Sequence, residues 1–329
     1  MISPSEKPRI LVVDDEPVNL KVMQRVLAED YRLAFAKSGP AALELVAQEP
    51  PKLILLDVMM PGMSGIEVCQ ALKEDPATRA IPVIFVTAMN DHDDEYNGFE
   101  VGAVDYITKP ITPALVRARV KNHLSLVQAE LLQQAHIDLV QRLGSAAEYK
   151  DEDTGEHILR MSHYSKLLAL AAGLNEAHAE LIRQAAPMHD VGKIGIPDAI
   201  LLKPGRLTTE EFEHMKAHAQ IGANILRGSQ SPLIKLAHTL ALEHHEKWDG
   251  SGYPKGLRGE QISLEARIVA IADVFDALTS KRPYKPAWPT ADAFALIADQ
   301  AGHHFDPALA NLFITLEADI LAIRQEYSK

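Results

Sequence analysis

Lys52-Leu53-Ile54-Leu55-Leu56-Asp57 is a short apolar run that ends on a carboxylate. It has no polar alternation, so both of its faces expect cover, as in the middle of a parallel sheet. We read a buried strand over Lys52–Leu56. Arg9–Val13 and Pro82–Thr87 have the same character, and Tyr31–Phe35 and Val104–Ile107 carry the signal less strongly. Helical patterns lie between these runs, near 17–28, 39–48, 64–74 and 92–101. Five strands alternating with helices predict a doubly wound α/β domain, with functional groups at the carboxyl ends of its strands.

Those strand ends are chemically coherent. Asp14 and Asp15 close the first strand, Asp57 the third and Thr87 the fourth, while Lys109-Pro110 follows the fifth. The three carboxylates suit a hard Mg2+ ion that also accepts phosphate oxygens. Asp57 is then placed to attack a phosphoryl group, with Lys109 neutralising the charge and the Thr87 hydroxyl donating to it. Paired acids at strand ends are commonly structural; it is the joint placement that points to phosphoryl chemistry.

After Pro113 the pattern changes. From Ala114 to about Lys150 there is no proline, and Gly144 is the single glycine. Val120, Leu124, Val127 and Leu131 fall at helical spacing, which predicts one long helix closing the first domain and running into the second. The stripe covers too few heptads to establish a coiled coil across a homodimer, and an ordinary helical linker fits equally. From about Glu148 onward we expect helices and loops without strands. Thr208 and Glu211 form a capping box opening the helix that carries His214 and His218. The glycine-dense stretch Asp249–Glu260 reads as a loop.

Within this second half, His189-Asp190 is the centre of an ordered set of ligand-type residues. His157 precedes it, and His218, His244-His245 and Asp273 follow. Neutral imidazoles and carboxylates hold catalytic first-row divalent metals. Adjacent His and Asp serve neighbouring ions if the carboxylate bridges them. Spacing alone does not choose between His214 and His218, which share a helical face.

Residues 8–125 resemble the receiver domain of two-component response regulators. The matching elements are Asp14-Asp15, Leu55-Leu56-Asp57-Val58-Met59-Met60-Pro61-Gly62, Thr87-Ala88 and Tyr106-Ile107-Thr108-Lys109-Pro110. The resemblance implies that Asp57 accepts phosphate from a sensor histidine kinase, that Lys109-Pro110 is cis, and that Thr87 and Tyr106 relay the modification. It also implies Mg2+ at Asp14, Asp15 and Asp57.

Residues 145–329 resemble the HD-GYP family of HD-superfamily phosphohydrolases, an all-helical fold. The resemblance rests on Asp153-Thr154-Gly155-Glu156-His157, His189-Asp190-Val191-Gly192-Lys193 and His244-His245-Glu246-Lys247-Trp248-Asp249-Gly250-Ser251-Gly252-Tyr253-Pro254. Asp273-Val274-Phe275-Asp276 and Arg282-Pro283-Tyr284-Lys285 complete it. It implies a first metal on His157, His189, Asp190 and Asp273, and a second on Asp190, His218, His244 and His245. Some members use a Glu for a third metal where this chain has the shorter Asp153, so two ions are expected, with a third on Asp153 as the alternative.

A site rich in His and carboxylate suits Fe, Mn, Ni or Zn, and Fe or Mn is the favoured expectation. The implied reaction is hydrolysis of cyclic di-GMP to pGpG, with the end product, pGpG or GMP, left open, and with Asp190 and Lys193 in the catalytic centre. Asp151, Lys193, Tyr253, Arg282 and Lys285 are the implied substrate contacts. Two other readings stand beside this one. One is a non-catalytic module gated by phosphorylation, for instance binding diguanylate cyclases. The other is a hydrolase of a different cyclic dinucleotide. Glu246 is expected to support a ligating imidazole, Asp276 to support its helix or its neighbours, and His214, His303 and His304 to be outside the ligand set.

The expected organisation is an N-terminal tail over 1–7, a receiver over 8–125, a helical linker over 126–146 and the HD-GYP domain over 147–329. Composition bounds it further. A chain of 329 residues exceeds one typical domain, and a net charge of -12 argues against a DNA-binding face. Cys69 is the only cysteine, which excludes a disulfide framework or thiolate cluster. No apolar run suits a signal peptide or a membrane span, so a cytoplasmic location is expected.

Overall fold

The computed structural model describes residues 7–88, 101–150, 155–280 and 286–327. Two compact units emerge, one up to Gln133 and the other from Gln134 onward. The expected helix near 92–101 falls almost wholly outside the described residues, as do Asp151, Asp153, Arg282 and Lys285.

The first unit is built on five parallel strands: β1 (Arg9–Val13), β2 (Arg32–Ala36), β3 (Leu53–Asp57), β4 (Val83–Ala88) and β5 (Asp105–Lys109). Their order across the sheet is β2-β1-β3-β4-β5. Helices α1 (Pro17–Leu27), α2 (Gly39–Gln48) and α3 (Gly65–Glu74) alternate with the early strands. Every residue of β3 is buried, as an unalternating aliphatic run requires. Separate apolar clusters cover the two sheet faces, one with Leu11, Ile54 and Phe85, the other with Ile10, Leu55 and Ile84. The order reverses direction between β1 and β3, and Asp14 and Asp57 stand at that switch point.

Helix α4 (Pro113–Tyr149) starts on proline, whose fixed φ suits a first turn. Val116 and Val120 are buried in the first unit, and Ile137, Val140 and Ala147 in the second. Gly144 has a packing reason: a Cβ there would lie 2.4 Å from the Pro187 carbonyl oxygen.

The second unit is helical, as the sequence predicts. Its main helices are α5 (Gly155–Ala171), α6 (Glu176–Ala185), the short α7 (Asp198–Leu201), α8 (Thr209–Leu226), α9 (Pro232–Glu243) and α10 (Leu264–Thr279). Helices α11 (Thr290–Asp299), α12 (Pro307–Thr315) and α13 (Glu317–Glu326) complete it. Short 3-10 turns over Ala186–Met188 and Val191–Gly195 flank His189-Asp190. One continuous core joins these helices through Tyr164, Ile182, Leu240, Phe275 and Phe313. The capping box of α8 forms, with Glu211 N donating to Thr208 Oγ1 and Thr208 N to the Glu211 carboxylate. No helix among the described residues is long and apolar enough to cross a membrane.

Candidate functional site

Helices and turns of the second unit bring seven ligand-type side chains together. His157 comes from α5, His189 and Asp190 from between the two 3-10 turns, and His218 from α8. His244 and His245 follow the end of α9, and Asp273 lies in α10. Two groups with converging ligand atoms result: His157, His189 and Asp273, and Asp190, His218, His244 and His245. His214 is exposed and lies outside both groups, whereas His218 converges with Asp190, His244 and His245. His303 is exposed as well, and His304 is in neither group.

Asp190 lies between the groups, and its two oxygens face different ways. Oδ2 is 3.3 Å from His189 Nε2, while Oδ1 is 3.1 Å from His218 Nε2 and 3.4 Å from His244 Nε2. Asp273 Oδ1 lies 3.5 Å from His157 Nε2 and 3.9 Å from His189 Nε2. Lys193 places its ammonium 2.8 Å from Asp190 Oδ2.

The outer ring nitrogens explain why the inner ones converge. Nδ1 of His189 donates to Ala186 O at 2.8 Å, that of His218 to Met215 O at 2.7 Å, and that of His244 to Leu240 O at 2.9 Å. These bonds fix the tautomers and leave Nε2 as the inward atom. Nε2 of His218 and His244, and Oδ1 of Asp190, are buried without a well-aligned hydrogen-bond partner. Such groups need an explanation, and divalent metals supply one. The residues therefore fit the ions that the family resemblance implies.

Charge in the pocket follows burial and neighbours. Burial holds His244 and His245 below the ordinary imidazole range, aided by the other rings, so their lone pairs are available. Burial opposes the Asp190 charge, yet Lys193 and His189 hold its carboxyl well below the usual range. Asp273 is likewise held low, against burial, by its hydrogen bond with His157. His157 goes the other way: burial disfavours its cation, but Asp273 and Asp276 push its pKa up to about 10.

Asp276 is the residue whose role the sequence left general. It is fully buried and accepts from His157 Nδ1 at 2.8 Å. Arg160 grips it twice, Nε to Oδ1 at 2.7 Å and Nη2 to Oδ2 at 2.9 Å. Glu246 departs from expectation: its carboxylate accepts from Lys255 N at 2.7 Å and Leu257 N at 2.9 Å. It therefore anchors the Gly252-Tyr253-Pro254 loop and holds no imidazole. Gly252 belongs to the same packing, since a Cβ there would lie 2.3 Å from Lys247 N. The loop lays the Tyr253 ring 4.7 Å from that of His245, and Tyr253-Pro254 is cis.

In the first unit, Asp14, Asp15 and Asp57 converge as a third group. Lys109 Nζ reaches Asp57 Oδ2 at 2.7 Å and Asp14 Oδ2 at 3.0 Å. Glu16 N and Asn19 Nδ2 donate to Asp14 and orient it. Burial pushes the Asp57 carboxyl up, against the pull of Lys109. Burial works against the Lys109 ammonium too, yet the two aspartates keep its pKa raised. Thr87 and Tyr106 stand on neighbouring strands β4 and β5, Arg119 lies over the Tyr106 ring at 5.4 Å, and Lys109-Pro110 is cis.

Comparison with known proteins agrees with both halves. The family model of the response regulator receiver domain matches residues 10–121, and that of the HD domain matches residues 130–309. A probable cyclic di-GMP phosphodiesterase of Vibrio cholerae is 42% identical, covering 97% of this chain and 80% of its own. The cyclic di-GMP phosphodiesterase response regulator RpfG of Xanthomonas campestris pv. campestris is 41% identical, over 97% of this chain and 90% of its own. The 3'3'-cGAMP-specific phosphodiesterase 2 of Vibrio cholerae is 44% identical, over 59% of this chain and 37% of its own.

Proposed function

The chain belongs to the HD-domain family of metal-dependent hydrolases and carries a response regulator receiver domain, and from that premise we propose that it hydrolyses cyclic di-GMP under the control of Asp57. The proposed product is pGpG, and whether the reaction runs on to GMP is read from the same product analysis. The observation that carries this reading is the Asp190 carboxylate, which turns one oxygen toward each half of a histidine-carboxylate cluster.

Two divalent ions fit the residues, one on His157, His189, Asp190 and Asp273, the other on Asp190, His218, His244 and His245. When bound, they would lower the pKa of an attacking water and stabilise charge on the phosphoryl oxygens. The chain's own groups do the rest. Asp276 and three backbone carbonyls orient the imidazoles. Lys193, beside Asp190, offers an ammonium to a phosphate oxygen, and Arg282, Lys285 and Asp151 are assigned to substrate by family resemblance alone. Tyr253 forms a wall beside His245, and Glu246 holds its loop in place. In the receiver, Mg2+ on Asp14, Asp15 and Asp57 would position Asp57 to take phosphate from a sensor histidine kinase, with Thr87, Tyr106 and Lys109 responding.

A hybrid cyclic dinucleotide is the second reading, favoured by the likeness to the cGAMP-specific phosphodiesterase. The test is anaerobic reconstitution with Fe2+ or Mn2+, followed by chromatography of the products from cyclic di-GMP and competing dinucleotides. Formation of pGpG, abolished by His189→Ala with Asp190→Ala, is expected. Absence of turnover by the metal-loaded protein, with or without beryllofluoride on Asp57, would sink the reading.

A further inference from the structure

Phe212 is a large apolar side chain left 45% exposed in the first turn of α8. A lone exposed Phe needs no explanation, but this one has a fixed setting. Its ring meets Tyr253 edge to face, with centroids 6.5 Å apart and planes at 82°. One turn along the helix, Lys216 Nζ lies 5.0 Å from the Phe212 ring centroid and 5.6 Å from that of Tyr253. A run of rings thus leads outward from the ligand His245 through Tyr253 to Phe212, with an ammonium over the last two. Neither Phe212 nor Lys216 belongs to a ligand group.

We propose that Phe212 and Lys216 form a guanine-recognition subsite beside the metal centre. The inference rests on the cyclic dinucleotide reading above, in which a phosphodiester sits at Asp190 and the bases need support outside the ligand shell. Stacking of a base on an aromatic ring strengthens binding by roughly five- to a hundredfold, which Phe212 offers to any purine. Lys216 adds the discrimination. Guanine presents two acceptors, O6 and N7, on the edge where adenine places an amino donor beside N7. An ammonium therefore favours guanine. Lys216 also pairs with Glu213 at 2.7 Å, but the Glu side chain is 61% exposed, and such a rim pair yields readily to a better partner.

The test uses the full-length, metal-loaded protein, reading KM and kcat for cyclic di-GMP and the Ki of cyclic di-AMP as competitor. Phe212→Ala raises KM for cyclic di-GMP about tenfold with a smaller effect on kcat, and Phe212→Trp restores it. Lys216→Met raises the same KM about tenfold and narrows its ratio to the cyclic di-AMP Ki, whereas Lys216→Arg keeps that ratio. An unchanged KM in Phe212→Ala, or an unchanged ratio in Lys216→Met, overturns the inference while leaving the proposed function intact. Wild-type protein that cleaves bis(p-nitrophenyl) phosphate but no cyclic dinucleotide overturns both.

Discussion

Asp276 sits between two demands, orienting His157 on one side and neutralising the buried Arg160 on the other. A carboxylate behind a ligating imidazole fixes its tautomer and raises its basicity, and losing such a partner typically costs 10–100-fold in metal affinity. Asp276→Asn keeps the shape but weakens the acceptor. Its Fe2+ or Mn2+ affinity, from equilibrium titration, should fall by about that factor while far-ultraviolet circular dichroism stays unchanged; wild-type affinity would remove Asp276 from this role. The residues that converge were legible in the order of the His and Asp motifs and in the family resemblance, which selected His218 where spacing did not. Asp276 was not: it follows Asp273 by one helical turn, and nothing in the chain names His157 and Arg160 as its partners. Glu246 was misassigned for the converse reason, since adjacency to His244-His245 does not reveal that its carboxylate turns toward the backbone of Lys255 and Leu257.

At the scale of elements, the turn Val191–Gly195 decides how closely His189-Asp190 approaches α8. Gly192 permits this contact: a Cβ there would lie 1.9 Å from His218 O and 2.5 Å from Gly222 N. Gly192→Ala must push the turn from the helix, separating Asp190 from His218. The expected result is a loss of about 1–3 kcal/mol in stability, read by thermal or denaturant unfolding, with weakened metal binding. A variant with the wild-type midpoint and affinity would contradict the packing argument. Strand positions were readable to within a residue or two. Lys52–Leu56 becomes Leu53–Asp57, and Tyr31–Phe35 becomes Arg32–Ala36. Apolar runs mark which residues are buried, whereas strand ends depend on cross-strand pairing, such as Asp57 with Val86. Long helix α4 was legible because it lacks breakers, while the reason for Gly144 lies in a distant segment, at Pro187.

Across the whole molecule, the aspartate cluster of the first unit and the histidine-carboxylate cluster of the second stand on separate cores, each with its own apolar clusters. The net charge of -12 does not oppose an anionic substrate, because bound cations reverse the local field. The proposed function turns on Asp190 being shared between two ions. The direct measurement is the metal content of protein purified without oxygen and desalted, by mass spectrometry, for the wild type and for Asp190→Ala. The account predicts about two equivalents of first-row metal per wild-type chain and the loss of both from the variant, because the bridge belongs to each ion. A wild-type chain holding no more than about one equivalent, or an Asp190→Ala chain keeping about two, would contradict it.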